Sequence, residues 1–281
     1  MAKKWNMVID VAECTNCNLC ALSCQDEYAG NDWPGVAAEM PRHGHRWIDI
    51  KRKERGQHPL VDVAYLPVMC QHCDDAPCIK AAKDGAVTKR ADGIVIIDPI
   101  KAKGQKQIVE ACPYDAVFWN EEKQLPQAWP FDAHLLDAGW KEPRAATACP
   151  TGAFRALQVE DTEMSHIRAS EGLEELDPAA ATKPRVWYKN LYRYTKCFIA
   201  GQIAVRINGQ EECLSGARIS LQKGAETVAE TETDAFGDFR IDRLDPSSGG
   251  YTLTVVKDGF TTQTVDVTLV DSVTLDVIHL S

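Results

Sequence analysis

The chain has 281 residues and a formal net charge of −10, enough length for two compact domains. Its composition, 44% hydrophobic and 26% charged, is that of a folded protein and not a disordered one. The acidic balance argues against a nucleic-acid partner, which needs clustered Lys and Arg, and no stretch reaches the ~20 apolar residues of a membrane helix.

The N-terminus, MAKKWNMVIDVAEC, runs directly into a cysteine motif, leaving no room for a signal peptide. A cytoplasmic chain is expected, with export alongside a signal-bearing partner as the alternative. Nine of the eleven cysteines fall within residues 14–149. Close triplets in a chain without a signal peptide point to metal and not to a disulfide scaffold.

The first motif is Cys14-x2-Cys17-x2-Cys20-x3-Cys24. This is the bacterial ferredoxin run, in which three thiolates hold one cubane and the fourth is turned toward another cluster. Zinc favours separated cysteine pairs, so a triplet is better matched to iron–sulfur. The polar insert that follows holds His43, His45 and His58, read as surface or interface residues. Its basic stretch Lys51-Arg52-Lys53-Glu54-Arg55 is read as a solvated loop or a docking patch. The second motif, CQHCDDAPC, supplies Cys70, Cys73 and Cys78. His72 lies within it and is expected to tune a cluster, not to ligate it. Two distant Cys-Pro cysteines, Cys112 and Cys149, complete two four-thiolate sets. An internal repeat, AAKDGAV (81–87), ACPYDAV (111–117) and ACPTGAF (148–154), has the character of ferredoxin half-domains.

Residues 1–155 are therefore expected as a ferredoxin-like [4Fe–4S] domain, and 156–199 as a polar, partly helical bridge. Residues 200–281 alternate with period two: Ile203, Val205, Ile207; Ile219, Leu221; Phe239, Ile241; Tyr251, Leu253, Val255; Val265, Val267, Leu269; Val273, Leu275, Val277. Short strands between Gly- and Asp-rich turns predict an all-β sandwich. The fold class is α+β, an iron–sulfur domain followed by a sandwich. The motifs LSGARISLQKG, TDAFGDFRIDRL and GGYTLTVVKDGF resemble the transthyretin-like or carboxypeptidase-regulatory-like module.

Through CTNCNLCALSC, CQHCDDAPC, DGIVIID with ACPYDAV, and ACPTGAF, residues 5–155 resemble the four-cluster ferredoxin-like electron-transfer subunits of molybdopterin enzymes related to dimethyl sulfoxide reductase. The resemblance implies one cluster on Cys14, Cys17, Cys20 and Cys149, and another on Cys70, Cys73, Cys78 and Cys112. At the positions of the family's remaining ligands this chain has Ala82, Ala102, Gln105 and Ile108, and Trp129, Asp132 and Ala145. Two [4Fe–4S] clusters are expected, and the resemblance implies that a missing one would have lain between them. Cys24, Cys197 and Cys213 are read as small buried hydrophobes.

NDWPGVAAEMPRHGHRWIDIKRKERG, YDAVFWNEE, AHLLD and TKPRVWYKNLYR, with the sandwich, are similar to the small subunits of the pyrogallol–phloroglucinol transhydroxylase family. That resemblance implies a large catalytic partner holding molybdopterin guanine dinucleotide with Mo or W. It also implies a reaction that transfers, adds or removes a ring hydroxyl on polyhydroxylated benzenes. The alternative is an electron-transfer subunit of a resorcinol hydroxylase or catechol dehydroxylase. No phosphate loop, nucleophile set or carboxylate pair stands out, so the chain is expected to be a non-catalytic subunit.

Overall fold

A computed structural model describes residues 2–281. The chain divides into two compact units, Met1–Lys51 with Tyr65–Leu191, and Arg52–Ala64 with Tyr192–Ser281.

The first unit is organised on a three-stranded sheet whose centre is Lys4–Asp10. It pairs antiparallel with Phe154–Val159 and parallel with Val186–Lys189. Five consecutive buried residues, Trp5 to Ile9, mark a strand covered on both faces. The segment 156–199 is not the separate bridge that its polarity predicts. Most of it belongs to the first unit, and Val186–Lys189 joins this sheet, because Val186, Trp187 and Tyr188 are too apolar to remain in solvent and are buried beside Lys4–Asp10. Helix Asp161–Glu171 packs Met164 against Val8, Leu173 and Trp187. It stops where Gly172 adopts φ 63° and Leu173 N–H returns to the Arg168 carbonyl, a left-handed cap that glycine enters at low cost.

The rest of the unit is short helices and two small hairpins, Val87–Lys89 with Val95–Ile97 and Phe118–Asn120 with Leu125–Gln127. Helix Leu19–Tyr28 buries Cys20, Ser23, Cys24, Glu27 and Tyr28. That spacing of three and four residues places them on one face.

The second unit is a β-sandwich. One sheet holds Gln210–Cys213, Cys197–Ile207 and Asp238–Leu244, with Val273–Thr274 and Ile278–Leu280 also paired to Cys197–Ile207. The other runs Glu226–Glu232, Arg218–Lys223, Gly249–Val256, Gln263–Leu269. Ile203, Val205, Ile219, Leu221, Phe239, Ile241, Leu253, Val255, Val267 and Leu269 form the core between them, as their alternation predicts. The pattern holds less strictly at its ends. Ile207 lies at the end of its strand and is 53% exposed. In the last run Val273 and Leu275 are partly buried against the core, and Thr274 and Leu280 are buried as well.

The basic stretch Lys51–Arg55 is not a solvated loop. It belongs to strand Ile48–Gln57, which pairs with Leu60–Met69. Arg55 is 1% exposed. Its guanidinium donates to the Arg193 carbonyl at 2.7 Å and to Asp242 at 2.8 Å. Asp62 accepts from Arg193 at 2.8 Å and from Arg240 at 3.0 Å, and the Arg240 guanidinium lies 4.0 Å over the Phe198 ring. The hairpin tip thus joins the sandwich through desolvated ion pairs, which are costly to break singly. Gly56, φ 75°, lies against Phe198. A Cβ there would meet Phe198 Cζ at 2.6 Å and the Leu60 carbonyl oxygen at 2.7 Å.

Gly56→Ala is expected to destabilise the second unit by about 1–3 kcal/mol through backbone strain and this clash. The measurement is amide hydrogen exchange in strand Cys197–Ile207, which should accelerate while exchange in strand Lys4–Asp10 is unchanged.

Candidate iron–sulfur centres

Cys14 and Cys17 lie in the loop that leaves strand Lys4–Asp10. The loop turns through left-handed Asn16 and Asn18, and the Asn18 amide donates to the Asn16 carbonyl at 2.8 Å. Cys20 sits at the start of helix Leu19–Tyr28, and Cys149 follows the short helix Arg144–Thr147. Burial raises the Cys20 thiol to about 12, and Cys14, Cys17 and Cys149 contribute to the rise. Cys14 is likewise raised by burial, then by Cys149 and Cys17. At Cys149 burial is outweighed by the Thr151 hydroxyl, 3.6 Å away, and by backbone N–H groups, so its pKa is lowered.

Cys70 and Cys73 follow strand Leu60–Met69, and Cys78 is on helix Pro77–Ala81. Cys112 follows helix Gln107–Glu110. Burial raises Cys78 to about 12, with Cys112 and Cys73 adding to it. Cys70 is raised by burial and then by Cys78, with smaller contributions from Cys73 and Cys112. Backbone N–H groups of Tyr114, Ala116 and Val117 work against burial at Cys112.

The thiols that act on one another by charge are Cys14, Cys17, Cys20 and Cys149 in one group and Cys70, Cys73, Cys78 and Cys112 in the other. Within each quartet thiolates would repel one another, so holding all four ionised needs a multivalent cationic centre. Among the described residues no three His, Cys, Asp or Glu side chains converge at the spacing of a single ion. A donor set made only of thiols fits an iron–sulfur cluster. A second observation fits the same group: a mostly apolar cavity is lined by Cys70, Cys78, Val95, Ile97, Val117 and Trp47. The Trp47 indole N–H beside it is buried and has no partner, and a cluster's sulfur would give it one.

The positions that the resemblance gives to the family's remaining ligands hold packed side chains. Ala102 and Ile108 are fully buried in an apolar cluster with Ala86, Val87, Val95 and Val117, against which Ala82 packs. Gln105 fills the remaining space, accepting from Lys83 N–H and donating to the Lys101 carbonyl, both at 2.8 Å. Around Cys24, Trp129 is fully buried and Ala145 is 1% exposed. Asp132 accepts from Tyr28, Trp129 and the Arg144 backbone. Cys24 is 2% exposed.

Cys197 is buried in the sandwich core. Cys213 is not the buried hydrophobe expected from its lack of a neighbouring thiol; it is exposed at the end of strand Gln210–Cys213. His43 and His58 are exposed, and His45 contacts the Trp119 carbonyl at 3.0 Å. His72 is neutral, its pKa taken down to about 3 by burial and then by Lys89 and Arg185. Its Nδ1 is 3.9 Å from Cys70 Sγ but accepts the Val95 N–H at 3.1 Å. Nδ1 therefore carries no proton to donate to the sulfur. The backbone N–H of His72 does favour the Cys70 thiolate, and its left-handed φ of 46° turns the loop.

Lys89 is a site residue that the sequence does not reveal. It donates to the carbonyls of His72 at 2.8 Å, Cys73 at 2.9 Å and Gly93 at 3.0 Å, and pairs with Asp74 at 2.8 Å. It fastens the second cysteine loop to the adjacent hairpin. The only sequence signal is a lysine ahead of DGIVIID, which any surface strand would carry.

A 4Fe-4S dicluster domain family matches residues 61–159, and a carboxypeptidase regulatory-like domain family matches 199–280. The small subunit of pyrogallol hydroxytransferase of Pelobacter acidigallici is 45% identical over 260 residues, covering 92% of each chain. The tetrathionate reductase B subunit of Salmonella typhimurium is 32% identical over 67% of this chain and 73% of its own. The chain belongs to this family of iron–sulfur subunits. The corresponding component of the anaerobic dimethyl sulfoxide reductase of Escherichia coli is 29% identical over 67% of this chain and 90% of its own. Among the described residues no helix is long and apolar enough to cross a membrane.

Cys24→Ala is expected to leave the iron content of the anaerobically purified chain unchanged, whereas Cys73→Ala should remove at least the four irons of one cubane. Quantitative iron and sulfide analysis distinguishes the two, on an expected total of about eight irons per chain for two cubanes.

Proposed function

We propose that the chain is the non-catalytic iron–sulfur subunit of a molybdopterin enzyme acting on polyhydroxylated benzenes, in which a hydroxyl group passes from one ring to another. Two [4Fe–4S] clusters, on Cys14, Cys17, Cys20 and Cys149 and on Cys70, Cys73, Cys78 and Cys112, are held by this chain. Molybdopterin guanine dinucleotide with Mo or W is held by the large partner.

The observation that carries this reading is the extent of the similarity to the pyrogallol hydroxytransferase small subunit, 260 residues and 92% of both chains. It reaches through the insert after the first motif and through the sandwich, whereas the tetrathionate reductase relative matches over 67% of this chain. The filled positions around Cys24 support it further. Each bound cubane supplies a one-electron site, but Trp129, Asp132 and Ala145 leave no third centre to shorten the path between two such sites. A hydroxyl transfer between rings needs no electrons to leave the protein, so a broken relay does not impede it. This chain then orients and stabilises the partner, its thiolates and Lys89 keeping the cysteine loops in shape.

The test is turnover of a trihydroxybenzene by the purified complex, with and without an external electron acceptor or donor. Turnover requiring only a hydroxylated co-substrate, with both clusters unchanged in oxidation state, is the expected result. Strict dependence on an acceptor or donor would assign the complex to a net hydroxylase or dehydroxylase and make the clusters a working relay.

A further inference from the structure

Asp132 is 1% exposed. Tyr28 O–H donates to its Oδ1 at 2.8 Å and Trp129 Nε1–H at 3.0 Å, while the Arg144 N–H donates to Oδ2 at 2.8 Å. All three contacts are donors, so the group they solvate is a carboxylate and not an acid. Burial raises its pKa, and these donors act in the opposite direction.

Among the described residues no cation pairs with it directly. The Arg144 guanidinium is taken by Glu27 at 2.6 Å and Asp26 at 2.7 Å. The His134 imidazole is taken by Glu27 at 2.8 Å. A buried anion whose direct hydrogen bonds all come from neutral groups is costly, and its field is little screened.

Its position gives that field a target. Two of its donors belong to the segments that carry the first set: Tyr28 ends the helix of Cys20, and Arg144 opens the short helix that Cys149 follows; burial raises the pKa of the intervening Cys24, and the Asp132 charge adds to it. Cys20 and Cys24 are one helical turn apart on the same buried face. On the other side, the Trp129 ring that donates to Asp132 lies 5.9 Å from the His72 ring, and His72 Nδ1 is 3.9 Å from Cys70 Sγ.

We infer that Asp132 is a charge-tuning residue, a fixed buried anion that holds down the reduction potential of the cluster on Cys14, Cys17, Cys20 and Cys149. An electron added to that cluster increases its negative charge, which a nearby carboxylate opposes. Such a device would keep the cluster oxidised during a reaction that must not lose electrons to it. The inference rests on the two-cluster reading above, but not on the identity of the ring substrate.

The experiment is an EPR-monitored redox titration of the anaerobic complex, with iron analysis, for the wild type, Asp132→Asn, Asp132→Ser and Asp132→Glu. The first-set signal is assigned by its loss or shift in Cys149→Ser. In Asp132→Asn the first-set potential should move to more positive values with about eight irons retained, two cubanes' worth. Asp132→Glu, which restores the charge, should return it toward the wild-type value; a merely structural role would not separate Asn from Glu by charge. Asp132→Ser provides a second neutral variant if Asn assembles poorly. An unchanged potential in a fully loaded neutral variant overturns the inference. So does a loss of iron in both neutral variants, which would make Asp132 a ligand or an assembly residue. A wild-type iron content other than that of two cubanes would instead refute the two-cluster reading.

Discussion

Clustered thiols, most of them in pockets that disfavour the ionised form and Cys149 in one that favours it, set the terms for the first unit. Burial and mutual repulsion both raise Cys20 and Cys78, and the protein cations near them are too few to offset this. Lys89 stands beside Cys73 and favours its thiolate, one positive charge against four potential negative ones. A bound multivalent centre turns that conflict into cohesion, since metal binding to such sites is coupled to folding. The short helices of four or five residues around the cysteines are well below the length at which isolated helices hold together. They depend on what the cysteines bind.

The surrounding side chains complete the same design. Lys89 binds three carbonyls of the cysteine loop and hairpin. Arg185, with its side chain 4% exposed, bonds Asp74 through both Nε and Nη2 and reaches Asp161 at 3.0 Å. It thereby ties the second cysteine loop to helix Asp161–Glu171. Buried cations are held by several oxygens each, the condition under which such pairs are retained. The sandwich has a different physical basis. Its core is apolar and forms between two sheets, so its stability comes from burial and strand pairing.

Two regions beside the cysteine groups are filled by packed side chains. Ile108 and Ala102 extend an apolar core, while Trp129 and Tyr28 enclose a carboxylate. The two regions differ in electrostatics: one has an apolar interior, the other a buried carboxylate. A protein that moves electrons over distance gains from closely spaced centres. One that exchanges hydroxyl groups between rings gains from clusters that stay in one oxidation state.

Local signals in the chain are sufficient for much of this. The cysteine spacing is read over a few residues, because a tight loop and one helical turn decide which sulfurs can share a centre. The period-two alternation from Ile203 to Leu269 likewise follows from strand geometry alone, and the core residues match it except at the exposed Ile207. What depends on neighbours distant in sequence is not legible there. Arg55 reads as solvated in a run of charges, yet Asp242 and the Arg193 carbonyl, far along the chain, make its burial possible. The polar segment after residue 156 hides a strand whose pairing partner is Lys4–Asp10. Cys213 and Cys197 look alike in sequence, but one ends an exposed edge strand and the other lies in the core. Asp132 is recognisable in the sequence only as a residue that is not cysteine. Its burial, its three donors and its lack of a paired cation come from segments that meet only in the folded chain, since desolvation and hydrogen bonding belong to the packed interior and not to the sequence.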